Sequence, residues 1–233
     1  MPDYSHFEMP MRFAKEQAAS KKPERVTLRD LHRKYPDSRD WMLHRLYVLT
    51  REPPGSKPLS SREVNRRTFC APERLEPEDF KSSRKLKLAV ELVPTPLWRK
   101  TLRYMLSKSL WERIREIEMD RTPRTCEICG VIGEQCHEKW LYDDERHIQI
   151  LTGFEIVCND CHLVHHMGRA VLQGLGDRAE AHFRRVNGIS AAETMHEKRL
   201  AQALHMLRSR LVWKQDLSFL DAYLAKHGLK KAD

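Results

Sequence analysis

The segment from Cys126 to His166 concentrates the residue types that ligate metals and move protons. It reads Cys126-Glu-Ile-Cys129, then Cys136-His137-Glu138, then Cys158-Asn-Asp-Cys161-His162, then His166. Four of these cysteines form two C-x-x-C pairs separated by 28 residues. Each such turn presents two thiolates at the separation a tetrahedral zinc requires. One structural zinc is therefore expected on Cys126, Cys129, Cys158 and Cys161, with Gly130 supplying the tight turn of the knuckle. Five of the six cysteines fall within 36 residues, whereas a disulfide framework spreads its cysteines and normally follows a secretion signal. Cys70 stands alone and reads as an ordinary thiol. A thiol redox role is disfavoured, because histidines adjoin the paired motifs.

The gap between the pairs is long enough for a hairpin that must position the remaining groups. Gln135 to Tyr142 reads as one strand, Asp143-Asp-Glu-Arg146 as the turn, and Ile148 to Val157 as the return strand, with period-two alternation around Gln149 and Glu155. A helix is expected from near Asn159, carrying Cys161, His162 and His166. The two histidines are i and i+4, so both imidazoles leave one helical face, where they can share a divalent cation. Cys136 and His137 are consecutive on a strand and point to opposite faces. One of them is placed to complete that metal site while the other confronts a substrate. Glu138 is either a partner behind the site or the solvent side of its strand. Asp143 and Asp144 read as turn residues, and His165 as solvated. His147, His182, His196 and His205 read as surface histidines. Lys139 and Arg169 are candidates to grip phosphate, or plain surface charges.

This order of motifs resembles the zinc-stapled HNH nucleases, the ββα-metal group. The resemblance implies that His137 is the general base activating water against a phosphodiester. It further implies a catalytic divalent metal (Zn, Mg, Mn or Ni) on Cys136, His162 and His166. Residues 88 to 224 are similar to a set of bacterial proteins of this group, through Glu91-Leu-Val-Pro-Thr-Pro-Leu-Trp98, Cys136-His-Glu-Lys-Trp140, Cys158-Asn-Asp-Cys-His162 to His166, Val186-Asn-Gly188 and Trp213-Lys-Gln-Asp-Leu-Ser218. Two positions depart from the pattern. Cys136 stands where Asp or His is usual, and a soft thiolate favours zinc over magnesium. Gly153 stands near the place of the family's middle Asn, which ties the loop and orients the base; Thr152 or a backbone carbonyl is the expected substitute.

Around this segment the chain reads as helices. The first 25 residues are polar and lack the apolar stretch of a secretory signal, so a loose arm and a cytoplasmic setting are expected. Thr27-Leu-Arg-Asp30 opens one helix, with Leu28, Leu31 and Tyr35 on a face, and Trp41 to Leu49 form another. Pro53, Pro54, Gly55 and Pro58 mark a linker, and residues 61–84 resist assignment. Leu86, Leu88, Val90 and Leu92 alternate as a strand or extended entry that Pro94 and Pro96 stop. Trp98, Leu102, Met105 and Leu106 follow at helical spacing, and Ser109 to Glu112 reads as a capping box. Ser190 to Glu193 reads as another, opening a helix through Leu211. Leu217, Leu220 and Leu224 share a face of the last helix, with Gly228 at its C-terminal cap.

The fold expected is therefore mainly α with a small ββα zinc module (α+β), divided as a basic region 1–85, the module with its leading helices at 86–170, and a helical region 171–233. The 233 residues carry 42 Lys+Arg against 33 Asp+Glu, and no window approaches the length of an apolar membrane span. The charge is uneven. Residues 1–92 hold 20 basic and 14 acidic groups, 93–170 hold 11 and 12, and 171–233 hold 11 and 7. Basic flanks fit duplex DNA as partner, with no membrane. DNA cutters often pair to reach both strands, so a homodimer is one assembly open to the chain, whose oligomeric state the sequence leaves undecided. Two readings stay open: a metal-dependent DNA endonuclease, and a zinc-stapled nucleic-acid-binding or interaction module that does not cleave.

Overall fold

The computed structural model describes residues 28–231, so the loose arm expected over 1–25 lies outside them. The chain forms two compact units, Met1–Phe80 and Lys81–Asp233. In the first unit, α1 (Leu28–Lys34), α2 (Ser38–Arg51) and α3 (Ser61–Phe69) precede a 3₁₀ turn at Pro77–Phe80. Asp37 caps α2 by accepting the Arg39 amide. Ser60 caps α3 by accepting the Glu63 amide, which gives a helix to a stretch with no clear apolar period. Leu31, Leu43, Val64 and Phe80 are buried, and the Tyr35 hydroxyl donates to the Thr68 carbonyl at 2.8 Å.

The second unit holds α4 (Leu102–Met105), α5 (Lys108–Arg121), β1 (Gln135–Asp143), β2 (Ile148–Val157), α6 (Asn159–His165), α7 (Met167–Leu172), α8 (Gly176–Asn187), α9 (Ala191–Arg208), β3 (Lys214–Asp216) and α10 (Ser218–Lys226). The class is mainly helical with one small sheet, ordered β1-β2-β3. β1 and β2 pair antiparallel, with His137 opposite Glu155 and Cys136 opposite Ile156; β3 joins β2 in parallel. The helical region 171–233 thus belongs to the same compact unit as the module.

Two apolar cores flank the hairpin. Leu88, Val157, Val164, Ala170 and Phe183 fill one beneath α6–α8. Leu102, Trp111, Ile114, Leu151, Phe154, Ile156 and Leu220 fill the other beneath α5 and α10. The alternating stretch 86–92 takes no strand partner. It bends at Lys87 and Leu88, with Leu88 buried in the first core and Leu86, Val90 and Leu92 packed against it. Asn187 holds it there: its side chain accepts the Lys87 and Leu88 amides and donates to the Leu88 carbonyl.

Three details differ from the reading above. Ser107, not Ser109, caps α5, by accepting the Leu110 amide. Trp98 is 60% exposed, because the prolines impose a 3₁₀ turn at Thr95–Leu97 instead of carrying a helical face through it. α9 opens on the capping box Ser190–Glu193 but ends at Arg208. Past it Trp213 returns an indole N–H to the Arg208 carbonyl at 2.8 Å, and the chain enters β3.

Candidate metal centres

The first C-x-x-C turn is a knuckle laid on β2. Gly130 adopts φ +78° to close it, and its amide donates to the Cys126 carbonyl at 2.9 Å. A Cβ at Gly133 would lie 2.5 Å from Ile156 Cγ2, so only glycine lets the knuckle approach the strand this closely. Glu127 docks it twice: its amide donates to the Ile156 carbonyl, and its carboxylate accepts the Ile156 amide at 2.6 Å. The second pair starts α6, where the Cys158 sulfur caps the helix by accepting the Cys161 amide.

These two supports bring Cys126, Cys129, Cys158 and Cys161 together. Sγ separations are 3.4 Å (Cys126–Cys129), 3.6 Å (Cys129–Cys158), 3.6 Å (Cys129–Cys161) and 3.8 Å (Cys126–Cys161). Zn–S bonds of about 2.3 Å set tetrahedral edges of about 3.8 Å, so the cluster fits a zinc-sized ion. Burial pushes the Cys126 thiol up, but backbone N–H donors outweigh it and bring it down to about 7. Burial pushes Cys129 up to about 11. His182, read as a surface residue from the sequence, is buried against this cluster, its Nε2 3.1 Å from Cys161 Sγ. Arg185 lies 2.6 Å from His182 Nδ1. A guanidinium only donates, so Nδ1 accepts, and Nε2–H points at the sulfur.

A second cluster lies between β1 and α6. His137, His162 and His166 each offer a ring nitrogen within 4.8 Å of the other two. The His137 ring stands at 78° to His162 and 69° to His166, and those two stand at 85° to each other. Mutually crossed rings let in-plane lone pairs converge on one ion. Burial is the main cause that presses His162 down to about 3 and His166 to about 4, leaving neutral imidazoles. The exposed Arg169 side chain, one turn beyond His166, adds to both shifts.

Cys136, the third ligand implied by the resemblance, is not in this cluster. It is buried on the opposite face of β1, among Trp111, Ile114, Phe154 and Ile156, and burial pushes its thiol up to about 12. Strand alternation leaves His137 as the side chain β1 turns toward α6. Glu138 faces away with Cys136: its carboxylate accepts the Leu102 amide at 2.9 Å and the Trp140 indole N–H at 3.0 Å, pinning the start of α4. Lys139 is exposed, beside a register irregularity in β1.

His165 departs furthest from expectation. It is 3% exposed, not solvated, and stacks on His137 with ring centres 4.2 Å apart and planes at 11°. Its Nδ1 lies 3.3 Å from Glu91 and its Nε2 3.2 Å from Glu155, both off hydrogen-bond alignment. Burial alone would lower its pKa, but the two carboxylates raise it to about 9. Glu91 also lies 3.4 Å from His137 Nε2. Burial pushes the Glu91 carboxyl up, yet these imidazoles outweigh it and hold the group well below the usual carboxylate range. Glu91, His137 and His165 form a third grouping of close donor atoms. Parallel stacked rings cannot both aim in-plane lone pairs at one ion, so the crossed grouping is the better cation site. Glu91 opens one of the stretches that carry the resemblance, but neither it nor His165 had a sequence signal that assigned it to a site.

Among the described residues no helix is long and apolar enough to cross a membrane. Compared with protein-family models, curated proteins and solved structures, the chain matches none.

Proposed function

We propose that the protein is a metal-dependent phosphodiester hydrolase of the HNH type acting on DNA, with Cys126, Cys129, Cys158 and Cys161 holding a structural zinc. The observation that carries this reading is the crossed set His137, His162 and His166, set between a hairpin and a helix whose first turn is held by the four cysteines. Closed thiolate sites are structural, whereas a three-residue imidazole set leaves a coordination position open. A divalent cation there would supply Lewis-acid stabilisation of phosphate charge and acidify a water.

The protein's own groups do the rest. His162 on α6 and His166 at its C-cap, i and i+4, would hold the cation as neutral imidazoles. His137 supplies the third imidazole from β1, replacing Cys136 in the ligand set. Arg169 contributes positive charge at the edge of the site, where a phosphate enters, and Lys139 on β1 is a second phosphate contact. Glu91 beside His137 Nε2 favours a second reading of that one residue, as a carboxylate-backed general base.

Metal analysis tests the assignment. Zinc-loaded wild type should bind one further equivalent of Co²⁺, and His166→Ala should lose that equivalent while retaining zinc at the cysteines. Wild type that binds no second ion contradicts the proposal.

A further inference from the structure

We propose that Glu91 is the positioning residue of His137, bridging the stacked rings of His137 and His165 with one carboxylate oxygen to each. The inference rests on the reading of His137 as a residue of the metal site. It starts from a gap: Gly153 near the expected Asn position has no side chain to orient an imidazole, and Thr152 donates instead to the Lys139 carbonyl at 3.1 Å. The carboxylate at His137 comes from another element, 46 residues upstream.

Glu91 is fixed at both ends. Its amide donates to the His165 carbonyl at 3.2 Å, tying the stretch 86–92 to the C-terminal turn of α6. One carboxylate oxygen lies 3.4 Å from His137 Nε2 and the other 3.3 Å from His165 Nδ1. Stacking at 4.2 Å sets the two ring edges side by side, so a single carboxylate can serve both. Glu155 closes the far side, 3.2 Å from His165 Nε2, and is itself the cross-strand partner of His137. The result is a frame of Glu155, His165 and Glu91 beside His137, with both imidazoles buried and the Glu91 side chain 38% exposed. An imidazole that directs Nε2–H to Glu91 and carries no second proton keeps its lone pair on Nδ1. A carboxylate behind a ligating or proton-accepting imidazole fixes its tautomer and increases its basicity, and losing one typically weakens metal affinity by about 10–100-fold.

Two measurements on the full-length, zinc-loaded protein test this: ¹H–¹⁵N long-range spectra of the histidine rings, and Co²⁺ affinity at the histidine site. Wild type should show His137 as the Nε2–H tautomer. Glu91→Gln should lose that single tautomer and bind Co²⁺ about 10–100-fold more weakly, while keeping its zinc. Glu91→Asp, which restores the charge, should recover part of the affinity. Unchanged tautomer and affinity in Glu91→Gln overturn the inference, as does a wild-type His137 protonated on Nδ1. The second criterion needs no variant, so it holds even if Glu91→Gln does not fold. A wild type that binds no Co²⁺ contradicts the metal site instead, and leaves the tautomer criterion in force.

Discussion

Cys136 and His137 are neighbours in the chain, yet the strand sends them into different chemistry. Cys136 sits in an apolar core with a thiol held neutral, so Cys136→Asp should not recruit magnesium to the site. It should bury a carboxylate without a partner and destabilise the fold by roughly 2–5 kcal/mol, read as a drop in chemical-denaturation midpoint. Cys136→Ala should cost much less and keep the second metal. His137→Ala separates the two roles open to that imidazole. As third ligand, its loss should weaken Co²⁺ binding at least tenfold along with turnover; as base, it should leave binding intact and cost about 10²–10⁴ in rate. Isothermal titration beside a cleavage assay reads both. The i, i+4 spacing made His162 and His166 legible from the sequence. Glu91 was not, because its partners lie 46 and 74 positions away and no local spacing links them.

At the scale of elements, the strand–strand–helix order follows from period-two alternation and the paired C-x-x-C turns. β3 does not: three residues carry too short a pattern to read. α6 and its C-cap carry three histidines whose environments oppose one another, and this gives the stability a pH signature. Glu91 and Glu155 raise His165 to about 9, above the usual 6.5. Its stabilisation is therefore complete below about pH 6.5 and lost as pH rises through about 9. His162 and His166 are pressed down to about 3 and about 4. The unfolded chain takes up their protons first, so their contribution is complete above about pH 6.5 and lost as pH falls toward 4 and 3. Without a second metal, thermal stability should peak near pH 6–7. The alkaline arm should amount to about 3 kcal/mol for a buried group shifted this far, and His165→Gln should flatten it. A melting temperature still rising at pH 9 would rule out the charged His165.

At the scale of the molecule, the four-cysteine cluster joins the knuckle, β2 and α6, so a zinc bound there would couple folding to metal binding. Cys158→Ser should lose zinc and unfold the second unit, a change circular dichroism would register. Basic surpluses of 6 over residues 1–92 and 4 over 171–233 flank a near-neutral centre. Duplex affinity should fall steeply between roughly 50 and 200 mM salt, and indifference to salt would argue against phosphate contacts. The uneven charge is legible from composition alone; the joining of 171–233 to the module rests on long-range packing that no local pattern carries. The most direct test of the central claim is supercoiled-plasmid nicking by wild type and His162→Ala across Mg²⁺, Mn²⁺, Ni²⁺, Co²⁺ and Zn²⁺. The account predicts nicking by wild type in at least one metal and at least a hundredfold less by a zinc-retaining His162→Ala, partly restored at high metal concentration. Equal trace activity of the two proteins in every metal would contradict it, and leave a zinc-stapled binding module in its place.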